Sequence, residues 1–208
     1  MSHDHQNSYF TQFNLPAHLQ VDLPALEKSF YAQSRKLHPD RFASRPQPEQ
    51  EAALAASSQL NDAYRTLRDP IARTEYLLAL EGIQLEEQSR AATDAAKASG
   101  TEKKQVAPPD LLEEAFELNM QLEEMRMAKK FGEDDPATRA DLDRARQHFT
   151  AMLAEAQQQL EALWTEWDSA VDSSDSAAKE AAKQAMVALL NRRSYIRNLV
   201  RDVNAALD

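Results

Sequence analysis

The chain of 208 residues contains no cysteine. That excludes disulfides and any cysteine-ligated zinc or iron–sulfur cluster on the chain itself. Glycine is almost as scarce, at three residues, and β-branched residues are few. Ala, Leu, Glu and Gln dominate instead, which favours helix over sheet. The apolar run Ala185-Met186-Val187-Ala188-Leu189-Leu190 falls far short of the roughly 20 residues that span a bilayer. Met1 to Gln6 has neither the basic nor the apolar region of a secretory signal, and no Arg precedes Arg35, which argues against a transit peptide. No membrane partner and a soluble, cytoplasmic location are expected.

A basic face is also missing. The net charge is −10 and is uneven: Tyr9 to Glu81 carries 8 Lys/Arg against 9 Asp/Glu, and Gly82 to Asp208 carries 16 against 24. Such a chain is a poor match for the phosphate backbone, so nucleic acid is not an expected partner.

What is present is helical periodicity broken by local stops. Tyr9-Phe10-Thr11-Gln12-Phe13 reads as a short aromatic helix. Asp22 is a plausible N-cap for the next helix, with Pro24 in its first turn. That helix runs to about Leu37, with Leu26, Phe30 and Leu37 on one face, interrupted by Gln33. Lys28, Arg35 and Lys36 share another face. Pro39 stops it. A long helix from about Pro48 carries Ala52, Ala55/Ala56, Gln59/Leu60, Ala63 and Leu67 at helical spacing. Asp69-Pro70 ends it and begins a third unit, Ile71 to Leu80, with Gly82 as a C-cap.

Residues 86–108 are small and polar, and read as a flexible linker. Three longer helices follow: Asp110 (as cap) to about Lys130, Ala137 to Val171, and one after the turn Asp172-Ser173-Ser174-Asp175-Ser176. The second carries Leu142, Ala145, Phe149, Met152, Ala156, Leu160, Leu163, Trp167 and Val171 at spacings of three and four, and Trp164 and Trp167 read as bundle core. The third carries Ala182, Ala185, Leu189, Ile196, Leu199, Val203 and Leu207. Short turns between such helices predict an antiparallel three-helix bundle.

His38-Pro39-Asp40 lies between two helices. Read blandly, it is a helix stop. No third partner beside His38 and Asp40 makes a catalytic set, so no enzyme is expected. His3, His5, His18 and His148 are scattered without ligand spacing, so neither a metal nor a cofactor is expected. Lys28, Arg35, Lys36 and Arg41 form a basic flank beside the tripeptide, suited to docking on an acidic surface.

On the first helix of the bundle, Leu111, Ala115, Leu118, Leu122 and Met125 form a core stripe. A second stripe, Leu112, Phe116 and Met120, is either a wider core face or an exposed partner patch.

Several stretches together carry a resemblance. They are Tyr9-Phe10…Phe13…Leu15-Pro16, Leu37-His38-Pro39-Asp40-Arg41-Phe42-Ala43, Gln59-Leu60-Asn61-Asp62-Ala63-Tyr64…Thr66-Leu67-Arg68-Asp69-Pro70, and Arg73…Glu75-Tyr76-Leu77-Leu78. They resemble the J-domain of HscB/Jac-type co-chaperones of iron–sulfur cluster biogenesis. The resemblance implies an all-α, L-shaped protein with a J-domain at 9–81, a linker at 86–108 and a C-terminal three-helix scaffold-binding domain at 109–207.

It further implies stimulation of a DnaK/HscA-class chaperone ATPase through His38, Pro39 and Asp40, with Arg35, Lys36, Arg41 and, more weakly, Lys28 docking. It implies delivery of the iron–sulfur scaffold protein IscU through Leu112, Phe116 and Tyr195, with Glu117, Asn119 and Met120 around them. Tyr31 and Ala32 stand where basic residues are frequent in J-domains, and Asn119 replaces a more usual Arg. A J-domain serving another client, or a helical adaptor with a chance His-Pro-Asp, are the alternatives.

Overall fold

The computed structural model describes residues 8–83, 85, 108–132 and 136–208. All of the expected linker except Pro108 lies outside the described residues, as do His3 and His5. The described residues form seven α-helices, two 3-10 turns and no strand, as an all-α chain should. The helices are α1 (Tyr9–Gln12), α2 (Leu23–Leu37), α3 (Gln47–Arg68), α4 (Pro70–Leu80), α5 (Leu112–Phe131), α6 (Pro136–Asp172) and α7 (Ser176–Leu207). Contacts divide the chain into two compact units: residues 8–83 with 164–183, and residue 85 with 108–163 and 184–208. This grouping departs from boundaries drawn in chain order at 9–81 and 109–207, because the tip of the α6–α7 hairpin belongs with the N-terminal helices.

In the first unit, local chemistry sets the helix ends. The Asp22 carboxylate accepts from Ala25 N at 3.0 Å, and Asp69 accepts from Ala72 N at 2.7 Å, each satisfying an orphan N–H of a first turn. Gly82 takes φ 81° after α4. Its N–H reaches Ala79 O at 3.0 Å and the Ile83 N–H reaches Leu78 O at 2.9 Å, the Schellman pattern that a Cβ would strain.

Helices α2 and α3 pack as a hairpin, with α1 and α4 against α3. Leu26, Ala53, Leu60, Ala63, Leu67, Leu77 and Leu78 are buried. The α3 stripe therefore begins at Ala53, one step from the expected Ala52, which is exposed. Rings fill the rest. Phe30 stacks on Tyr64 at 4.2 Å and Tyr9 on Tyr76 at 4.4 Å. Gln33, which interrupts the apolar face of α2, donates to Gln12 O at 3.2 Å, so its amide is used where it falls.

The hairpin tip completes this unit. Trp164 and Trp167 are buried here rather than in the bundle core where they were expected. Trp164 Nε1 donates to Thr74 Oγ1 at 2.9 Å, and Trp167 Nε1 donates to Ala17 O at 3.3 Å. The buried Asp168 carboxylate accepts from Leu19 N at 2.7 Å and Gln20 N at 2.9 Å. Arg73 lies 4.9 Å over the Trp164 ring and donates to Leu67 O at 2.6 Å. Burial pushes the Arg73 guanidinium below its ordinary value, against the opposing pull of Asp69 and Asp168.

In the second unit, Leu111 of the 3-10 turn Pro109–Leu111 and Ala115, Leu118, Leu122 and Met125 of α5 meet Leu142 and Phe149 of α6 and Ile196, Leu199 and Val203 of α7. The core stripe of α5 is thus the one its spacing predicts. Asp110 does not cap α5, since it sits inside the 3-10 turn Pro109–Leu111 and α5 has no side-chain cap bond. Its carboxylate accepts from Arg192 Nε at 2.9 Å instead.

Candidate interaction surfaces

The first candidate is the turn after α2. Residues before proline avoid the α region, so His38 is extended, with ψ 129°, and ends the helix. Pro39, Asp40 and Arg41 then make a single 3-10 turn. His38 Nδ1 accepts from the Asp40 N–H at 3.3 Å and lies 3.5 Å from Asp40 Oδ2. The imidazole is thereby used as a cap for the turn, and its other edge and the Asp40 carboxylate face solvent. Arg41 turns back so that its guanidinium donates to Arg35 O at 3.4 Å, covering a carbonyl left open at the end of α2. Arg35 Nε donates to Tyr31 O at 3.3 Å. Lys28 and Lys36 are exposed on the same helix, Lys28 about 10 Å before Arg35 along the axis. The structure thus gathers Arg35, Lys36 and Arg41 at the tripeptide, with Lys28 two turns away.

The second candidate lies on α5 and decides between the two readings of its second stripe. Leu112 is 55% exposed, Phe116 68% and Met120 60%. They are surface, not a wide core face. Spacing of four puts the three on one side of the helix, with the core stripe on the other. Glu117 and Asn119 are exposed on its flanks.

Tyr195 is different. It sits half-buried on α7, packed against the bundle cluster, and burial pushes its phenol above the ordinary value. Of the apolar residues that the resemblance assigns to the scaffold, three are therefore open and one is partly used by the core. Two further exposed residues of α5, Met127 and Phe131, were not singled out from sequence. Their helical phase was available, at seven and eleven residues past Met120.

Among the described residues, no group of three or more His, Cys, Asp or Glu could hold a metal ion, and no helix is long and apolar enough to cross a membrane.

An N-terminal helical unit with an exposed His-Pro-Asp turn and a helical bundle with an exposed apolar stripe make an all-α chain with two candidate interaction surfaces. Comparison with solved structures narrows the class. The chain aligns with the chaperone HscB from Vibrio cholerae at 26% identity over 95% of each chain, with a TM-score of 0.58. It aligns with the human co-chaperone protein HscB at 22% identity, over 96% of this chain and 81% of the other, with a TM-score of 0.60. The chain has the HscB-type co-chaperone fold. No protein-family model matches it.

Proposed function

We propose that the chain is a co-chaperone that stimulates ATP hydrolysis by a DnaK/HscA-class chaperone and delivers the iron–sulfur scaffold protein IscU to it. The observation that carries this reading is the His38-Pro39-Asp40 turn. It stands exposed at the end of a basic helix, in a chain whose fold is that of HscB co-chaperones.

In this reading Lys28, Arg35, Lys36 and Arg41 steer the turn onto an acidic surface of the chaperone, an attraction that salt weakens. Pro39 and the His38 cap hold the turn in one shape, so little ordering is needed on binding. The Asp40 carboxylate is then presented to a cationic group of the partner, where a charge-assisted bond forms once water is excluded. The chain's own contribution is recognition: it supplies no nucleophile and no base. The bundle holds the scaffold through Leu112, Phe116 and Met120, with Tyr195, Glu117 and Asn119 at the margin. Any cluster is cargo of the scaffold.

The test is single-turnover ATP hydrolysis by the chaperone with IscU present. The parent chain accelerates the turnover, and Asp40→Asn loses that acceleration while its thermal melt is unchanged. Equal stimulation by Asp40→Asn would overturn the mechanism.

A further inference from the structure

The exposed apolar surface of α5 does not end at Met120. Met127 is 45% exposed and Phe131 69%. At about 100° per residue, Leu112, Phe116, Met120, Met127 and Phe131 fall within about 100° of arc, on the side away from Leu118, Leu122 and Met125. Over 19 steps of 1.5 Å the stripe runs about 28 Å, the whole length of the helix. Only Glu123 interrupts its interior, and Arg126 draws that carboxylate aside at 3.3 Å.

The far end is well held. Gly132 takes φ 71°, and its N–H reaches Lys129 O at 3.2 Å. Lys129 Nζ donates to Ala206 O on α7 at 2.8 Å. Phe131 is thus presented from an anchored turn rather than a frayed one. Immobilising such a ring on binding costs little additional entropy, and rigid aromatics are the residues that most often dominate binding energy.

The two edges differ in charge: exposed Arg126 and Lys130 follow one, and the opposite edge is acidic. Glu113, Glu117 and Glu124 are exposed and follow that acidic edge of the stripe within about 40° of arc. They call for lysine or arginine on the occupant, and a second copy of a chain with net charge −10 is a poor match.

We infer that the occupant of Leu112 and Phe116 also covers Met127 and Phe131, as a partner protein presenting an apolar ridge with basic residues along the side that meets Glu113, Glu117 and Glu124. This rests on the function proposed above, and takes that partner to be the iron–sulfur scaffold protein. Met127 and Phe131 then act as a second anchor, about 16–22 Å along the helix from Phe116.

The test is calorimetric titration of IscU into the full chain, with sedimentation velocity of the chain alone. Met127→Ser/Phe131→Ser is expected to weaken scaffold binding about tenfold or more, with an unchanged far-UV melt because neither residue is core. Glu117→Lys/Glu124→Lys is expected to weaken it several-fold, most at low salt. Leu112→Ala/Phe116→Ala serves as the reference. If that reference loses binding while Met127→Ser/Phe131→Ser binds like the parent, the second anchor is overturned and the proposed function stands. If the parent itself fails to bind IscU, both fall. If the parent self-associates and Met127→Ser/Phe131→Ser abolishes only that, the occupant is a second copy and the inference is overturned.

Discussion

Four large aromatic residues of this chain meet opposite fates. Trp164 and Trp167, at the tip of the α6–α7 hairpin, are buried and have their ring nitrogens bonded at 2.9 Å and 3.3 Å. Phe116 and Phe131, on α5, are more than two-thirds exposed. All four sit on long helices at helical spacing from other apolar residues. The difference is in what lies across from each. The tryptophans face Thr74, Ala17 and Arg73 from the N-terminal helices, groups that both pack on a ring and accept or stack on its polar edge. The phenylalanines face away from the bundle core. A periodic apolar residue is therefore a statement about a face, and only the opposing surface says whether that face is covered.

The comparison can be broken most sharply at Trp167. Trp167→Ala should cost about 3–5 kcal/mol by leaving a cavity and an unmatched Ala17 carbonyl, read by denaturant unfolding. Asp168→Ala should cost about 1–3 kcal/mol, since the N–H groups of Leu19 and Gln20 lose their acceptor. Asp168→Asn should recover part of that loss by restoring one carbonyl oxygen. Phe116→Ser, by contrast, should shift stability by no more than about 0.5 kcal/mol, while scaffold affinity falls. A stability loss like that of Trp167→Ala would show Phe116 to be core and erase the contrast.

The smallest effect is in pH. Burial raises the phenols of Tyr76 and Tyr195, and at Tyr76 the bond from Tyr9 N pulls the other way. A raised folded value means the folded state holds its phenolic proton more tightly. That stabilisation is complete below the unfolded value near 10 and is lost as pH rises through the folded values. Stability should therefore fall above about pH 10, and Tyr195→Phe should blunt that fall, as seen in melts across the alkaline range.

Much of this was legible in the sequence. Asp22 caps the helix it was expected to cap, Asp69-Pro70 marks the break between α3 and α4, Gly82 ends α4, and the core stripe of α5 is the predicted one. The expected placement of the His-Pro-Asp turn between helices also matches the structure. Other expectations gave way. Asp110 is taken from its capping role by Arg192, 82 positions along the chain. The α3 stripe shifts by one residue at its start, where successive alanines leave the phase weakly specified. Tyr195 is drawn half into the bundle.

The sequence by itself determined the helical class, the places where helices begin and stop, and the residues that share a face. Those depend on capping, proline sterics and the 3.6-residue period, which act within one or two turns. The tertiary structure decided which faces are covered, where Trp164 and Trp167 go, and why Asp168 and Arg73 can be buried. Their partners lie far away in the chain: Leu19 and Asp168 are 149 positions apart, and Trp164 and Thr74 are 90. Burying a carboxylate or an indole N–H depends on a matching group across the gap, and no local pattern records which group that will be.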